Sequence, residues 1–158
     1  MAWLAPTVME RERRRCRRLL QRLLELECER APFTVSTCEK ELPFTGGGAQ
    51  VQLRIDRIDT LATGERVVID YKSGAAESLQ LHAGEAQPLQ LAAYAVAMAQ
   101  ADEPVSAAML VSLRPGELGF AGATGVPNIT PGSSKSISDW PAMQAQWSSE
   151  IVRLLQAP

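Results

Sequence analysis

The chain has 158 residues, 46% hydrophobic and 22% charged, which suits one globular domain that buries most of its apolar surface without metal or disulfide staples. A formal charge of −2 argues against holding nucleic acid by bulk electrostatics and leaves a local basic surface as the only electrostatic route to such a partner. No apolar run approaches the roughly 20 residues that span a bilayer. The opening Met1-Ala2-Trp3-Leu4-Ala5-Pro6 is too short for a secretion signal and runs straight into arginines, so a cytoplasmic location is expected. Cys16, Cys28 and Cys38 form no CxxC pair, as expected of small buried thiols in a reducing compartment.

Thr7 and Glu10 match a capping box, and a helix is predicted from about 8 to 29, ending before Ala31-Pro32. Cys16, Leu19, Leu20, Leu23 and Leu24 recur at helical spacing and predict its buried stripe. Arg11, Arg15, Arg18 and Arg22 form a second stripe, continued by Glu25 and Glu29. This order of charges opposes the helix macrodipole. The alternating segment Phe33 to Phe44 predicts a strand before the Gly46-Gly47-Gly48 turn. Two further strands, Val51–Asp59 and Arg66–Lys72, flank a turn at Thr60–Glu65.

Ser73 to Ala86 reads as a loop, and Gln87-Pro88 as the start of an Ala- and Leu-rich helix that reaches about Gln100 and is stopped by Pro104. Val105 to Leu113 predicts a buried strand, turned back through Arg114–Glu117 into a short edge strand ending at Phe120. Ala121 to Ser138, rich in Gly, Pro, Ser and Thr, predicts a long surface loop. Asp139 caps a last helix, with Trp140, Met143, Trp147, Ile151 and Leu154 packing it onto the body. The predicted fold class is α/β, with element order αβββαβ, a mixed central sheet and a C-terminal helix, because a hairpin and a helical connection feed the same sheet.

The chemistry-bearing residues fall on the second and third strands. A hairpin centred on residue 63 sets Asp56 opposite Asp70, with Cβ atoms about 4.5–5.5 Å apart, close enough to share one cation. Alternation puts Lys72 on the same face as Asp70. Two acids and an amine then converge. A phosphodiester resists hydrolysis because its charge repels hydroxide, and a divalent metal answers that by neutralising charge and activating water. Mg²⁺ takes one or two carboxylates and completes its shell with water and phosphate, so Asp56 and Asp70 have suitable chemistry. The backbone carbonyl of Tyr71 is placed by sequence to be a third ligand, and Lys72 to orient water or stabilise charge on phosphorus. A structural ion pair between Asp70 and Lys72 is the competing explanation. An Asp and a Lys continuing the apolar Val67-Val68-Ile69 cost several kcal/mol unless paired or metal-bound.

These residues resemble the RecB-like branch of the PD-(D/E)xK nuclease superfamily, also seen in AddB-type helicase-nuclease subunits. Ile55-Asp56-Arg57-Ile58-Asp59 is similar to that branch's I-D-R-I-D segment. Asp70-Tyr71-Lys72-Ser73-Gly74 is similar to its D-Y-K-[ST]-G, and Gln90 and Tyr94 fit its Q-x-x-x-Y. The resemblance implies a restriction-endonuclease-like core and Mg²⁺-dependent cleavage of DNA, with Mn²⁺ able to substitute. Asp56 and Asp70 are the implied ligands, Lys72 the catalytic lysine, and Gln90 and Tyr94 face the site and the bound strand. It further implies an exonuclease module of a larger DNA repair or recombination protein, partnered by a helicase region or subunit.

Relatives in that branch supply an extra His or Glu ligand from the first helix or the segment before it. No histidine precedes Asp56 here, so Glu25, Glu27, Glu29 and Glu39 stand as alternatives. Leu53 replaces a frequent Gly, and the positions of the cysteines argue against an iron–sulfur cluster. His82, the only histidine, reads as a surface residue. The arginine stripe reads as a solvated helix face, with DNA phosphate contact as the other reading. The remaining functional alternative is a catalytically silent domain that binds DNA or a partner subunit.

Overall fold

The computed structural model describes residues 6–73, 89–127, 129 and 132–156. Its elements follow the chain as α1 (Pro6–Cys28), β1 (Phe33–Gly46), β2 (Ala49–Leu61), β3 (Arg66–Lys72), α2 (Leu89–Gln100), β4 (Ala107–Ser112), β5 (Gly119–Thr124), β6 (Gly132–Ser136) and α3 (Trp140–Leu155). The strands form one six-stranded sheet in sequence order. Pairing is antiparallel for β1/β2, β2/β3 and β4/β5, and parallel for β3/β4 and β5/β6. The predicted αβββαβ order and the mixed sheet are therefore present. No helix among the described residues is long and apolar enough to cross a membrane.

Alternation along the strands builds a core on each face of the sheet. Val68, Ala108, Leu110 and Ala123 pack one face against α2 and against Trp140, Trp147 and Ile151 of α3. Every residue of α2 from Leu91 to Met98 is buried, which explains its nearly uniform apolar character: it lies between the sheet and α3. Val67, Ile69, Met109, Val111 and Phe120 line the other face with Leu23 of α1. Asp139 caps α3 by accepting the Ala142 N–H at 3.0 Å. Trp140 stacks edge-to-face on Trp147, with centroids 5.4 Å apart, and donates its indole N–H to the Val105 carbonyl.

Several expectations are corrected. Helix α1 begins at Pro6, so Thr7 lies inside the first turn and the expected capping box does not start the helix. Of the expected stripe Cys16, Leu19, Leu20, Leu23 and Leu24, only Leu23 is buried. Leu19 and Leu26 are half-buried, while Leu20 and Leu24 are exposed, because the sheet face meets only the C-terminal part of this long helix. The three cysteines are exposed: Cys16 and Cys28 lie on α1 and Cys38 on the outermost strand. Leu154 of α3 is exposed as well.

Helix α2 ends before Pro104 is reached. Asp102 adopts a left-handed conformation (φ 59°), with Glu103 N–H bonded to the Met98 carbonyl and Asp102 N–H to that of Ala99, a Schellman closure. Of the predicted 73–86 loop only Ser73 is described, and Gln87-Pro88 lies outside the described residues.

The largest correction concerns 119–136. Strand β5, expected as a short edge strand ending at Phe120, is interior and continues to Thr124, and β6 pairs alongside it within the expected loop of Ala121 to Ser138. Small residues are what this arrangement demands. A Cβ on Gly122 would stand 2.2 Å from the Ala108 carbonyl oxygen and 2.8 Å from Met109 Cα. Sequence composition reads such residues as loop, whereas packing requires them in the strand.

Opposite the α2 face, the end of α1 covers a cluster of charges. Arg30 and Asp59, both buried, are ion-paired at 2.8 Å, and Arg57 binds Asp59 and Glu27. Arg30 also pairs with Glu27 and stacks over Phe33, its guanidinium 4.0 Å from the ring centroid. Removing one member leaves the others uncompensated in a dry site. Asp59→Asn should lower unfolding stability by about 3 kcal/mol, and Gly122→Ala by about 3 kcal/mol through overpacking. Both are read as urea midpoints with an unchanged slope.

Candidate metal centre

The hairpin register runs toward the expected Asp56–Asp70 pair but ends before reaching it, a feature the pattern could not show. Strands β2 and β3 pair from Thr60↔Arg66 to Arg57↔Ile69, and the ladder stops one residue short of Asp56 and Asp70. On its other side, β2 pairs through Cys38↔Arg57 and Lys40↔Ile55, skipping Glu39, which has a left-handed backbone (φ 53°). Asp56 therefore sits where pairing lapses on both flanks. Its Oδ2 accepts the Tyr71 N–H at 2.8 Å, so a side chain takes over from a missing ladder bond and leaves Oδ1 with no partner among the described residues.

Asp70 follows the apolar run of β3 into the interior and is buried. Lys72 Nζ lies 2.7 Å from its Oδ2, and Gln90 Nε2 donates to its Oδ1 at 2.9 Å. The Lys72 contact is close in distance but poorly directed, and Oδ2 has no properly formed hydrogen bond among the described residues. Burial pushes the Asp70 carboxyl above its ordinary value. The close contact and charge of Lys72 pull it back, and the Asp56 charge adds to the rise. An under-satisfied buried carboxylate oxygen beside a second carboxylate is the donor set that a hard divalent cation takes. The residues present thus fit a metal.

Helix α2 completes the arrangement from the first turn onward. Gln90 and Tyr94 share one face at a spacing of four. Gln90 Oε1 accepts from Lys72 Nζ at 2.6 Å, and its amide also donates to the Tyr94 hydroxyl at 2.6 Å. The Tyr94 hydroxyl in turn donates to the Arg54 carbonyl of β2 at 2.7 Å and stands 3.4 Å from Asp70 Oδ1. Burial pushes Tyr94 up to about 12. The Gln90 hydrogen bond opposes that rise, while the charges of Asp70 and Asp56 add to it. It is therefore a neutral donor at physiological pH. Asp56, Asp70, Lys72, Gln90 and Tyr94 are all brought together, Gln90 as a bridge between acid and amine.

The extra ligand is not among those gathered. Glu25 pairs with Arg22, Glu27 with Arg30 and Arg57, and Glu39 with Arg54, while Glu29 is exposed. Among the described residues no group of three or more His, Cys, Asp or Glu converges. His82 lies outside the described residues.

Three features went unread in the sequence. Asp59 and Arg57 belong to the buried charge cluster of the opposite face, and strand alternation carries the signal, since Asp59 is an odd number of positions from Asp56. Tyr71 joins the two sides: its N–H serves Asp56, while its hydroxyl accepts from Arg57 at 2.8 Å. Ser112, opposite Lys72 in the parallel register, is buried, and its hydroxyl has no partner among the described residues. Nothing in sequence spacing pointed to it.

A family model of the PD-(D/E)XK nuclease superfamily matches residues 3–157. Among solved structures, the crystal structure of SSO0001 is similar at a TM-score of 0.39 and 16% identity, over 97% of this chain and 63% of that one. The chain thus spans less than two thirds of that protein's length. No curated protein matches. Because the family match takes in nearly the whole chain, both acid-bearing strands and the helix behind them included, the chain belongs to the PD-(D/E)XK nuclease superfamily, whose members are generally metal-dependent nucleases.

Proposed function

We propose that this domain is a Mg²⁺-dependent deoxyribonuclease of the RecB-like branch, acting as a cytoplasmic module of a DNA repair or recombination protein with a helicase region or subunit as partner. The observation that carries the reading is the buried, under-bonded Asp70 carboxylate beside Asp56 and Lys72. The branch assignment is supported by the I-D-R-I-D, D-Y-K-S-G and Q-x-x-x-Y residues.

Asp56 Oδ1 and Asp70 Oδ2 would hold the metal, with the Tyr71 carbonyl as a third donor. When bound, a divalent ion polarises a phosphoryl oxygen and makes a ligated water more acidic. Lys72 supplies a fixed positive charge beside the scissile phosphate, where it can orient the attacking water or stabilise negative charge on phosphorus. Gln90 keeps that amine from collapsing fully onto Asp70, because its carboxamide oxygen competes for the same donor. Tyr94 ties α2 to β2 through the Arg54 carbonyl and fixes the distance between the elements that carry the site.

A second reading, a catalytically silent domain that binds DNA or a partner subunit, draws on one observation: no third acidic or histidine side chain joins Asp56 and Asp70 among the described residues. Cleavage of linear single- and double-stranded DNA with Mg²⁺ or Mn²⁺ separates the two. Asp70→Ala and Lys72→Ala should each lower turnover by about 10³-fold, and DNA bound without turnover in any form would favour the silent reading. Equal turnover in wild type and both variants would reject the site.

Metal-free stability gives a second check. The folded pKa of Asp70 lies above the ordinary 3.8. The associated stability is therefore fully present below that value and is lost as pH rises through the raised pKa. In EDTA at neutral pH, Asp70→Asn should melt at or above the wild-type temperature, the difference disappearing in acid. With Mg²⁺ at about 100 times its Kd, wild type should gain about 2.7 kcal/mol; Asp70→Asn should gain nothing, and an equal gain would place the ion elsewhere.

A further inference from the structure

The site accounts for one end of the sheet and leaves the first half of α1 without a task. Residues Thr7 to Arg18 are all exposed. Positions 11–22 carry seven arginines against the single Glu12, a local charge of +6 in a chain of −2, so the remainder carries −8. Glu10 engages Arg13 and Arg14, Glu12 engages Arg15, and Glu25 engages Arg22. Arg11, Arg17 and Arg18 make no ion pair among the described residues. Packing does not explain these arginines, since the helix meets the body through Leu23 and Leu26. Nor does helix electrostatics, which favours cations at the opposite end.

At 3.6 residues per turn, Arg11, Arg15, Arg18 and Arg22 fall on one flank adjoining that body-facing stripe and extend about 16 Å along the axis. A row of forked, permanently charged donors over that length suits a polyanion with regularly spaced phosphates. The anionic body also discourages a polyanion from settling elsewhere, so the helix focuses the attraction.

We propose that the exposed half of α1 is a phosphate-binding arm that tracks the backbone of a nucleic acid without reading its sequence. The choice of polyanion rests on the nuclease reading above. Arg11, Arg15 and Arg18 neutralise backbone phosphates and release condensed counterions, so they set the salt dependence of binding and not base preference.

The test measures binding of labelled duplex and single-stranded DNA by fluorescence anisotropy in EDTA, which removes cleavage from the readout, across a salt series. Replacing Arg11, Arg15 and Arg18 together by Gln should reduce the slope of log affinity against log salt by about 2.7 for duplex and about 2.1 for single strands. Over a fourfold rise in salt, the duplex value amounts to an approximately 40-fold smaller loss of affinity. The charge-keeping Arg→Lys triple should retain the slope. A charge-matched control, with Gln at Arg114, Lys135 and Arg153, should also retain it.

Equal slope changes in the arm and the control would overturn the arm, as would no change in either or no DNA binding by wild type. Binding to phosphatidylserine vesicles that needs these arginines, with DNA left unaffected, would assign the surface to membranes and overturn it too. The cleavage assay is independent of these results. If turnover proves insensitive to Asp70 while the slope follows the arginines, the nuclease reading fails and the arm stands.

Discussion

The arrangement depends on one lapse in pairing, the point where β2 leaves β3 just past Arg57 and Ile69. A continuous ladder would bond the Tyr71 N–H to a strand carbonyl and leave Asp56 without that partner. Because the strands part, the backbone N–H of Tyr71 has no strand carbonyl to bond, and Asp56 supplies an oxygen in its place. That bond orients one carboxylate toward Asp70 while β3 carries the other inward. The electrostatic tension between two acids in a buried setting follows from backbone geometry, with Lys72, Gln90 and Tyr94 arranged to limit it.

The same sheet keeps its charges segregated by face. Asp56 and Asp70 look toward α2, whereas Asp59 and Arg57 look toward the end of α1, where Arg30 and Glu27 meet them. The two clusters differ in kind. Among the described residues Asp59 and Glu27 each accept directed guanidinium hydrogen bonds, although Arg30 Nε and Nη2 stay unpaired there, while Asp70 Oδ2 accepts none. Among the described residues only Tyr71 reaches both, with its backbone on one and its hydroxyl on the other.

Much of this was legible in the residues because alternation and hairpin symmetry are rigid rules. Placing Asp56 across from Asp70 needed only the turn between 60 and 66, and the four-residue step from Gln90 to Tyr94 needed only helical geometry. Rules of composition served less well. The glycines, alanines and serines from 121 onward read as loop because small residues are usually exposed in turns, yet β4 lies so close behind Gly122 that nothing larger fits. Periodicity could not decide which leucines of α1 meet the body either, since 16, 19, 20, 23 and 24 all satisfy it and only the sheet's extent chooses among them. The partners of Arg30 were beyond any local pattern, because Glu27 and Asp59 come from different elements.

The irregular course of β1 has an effect beyond the metal site. This strand is the sheet's outer member, 14 residues long and exposed over much of its length, and such an edge is an open template for another chain to extend. The register shift near Ser36, the left-handed turn of backbone at Glu39, the charges of Glu39, Lys40 and Glu41, and Pro43 interrupt it at intervals of a few residues. The bend that skips Glu39 beside Asp56 thus also denies another chain a flat, hydrogen-bonding rim, which guards the protein against self-association into extended sheets.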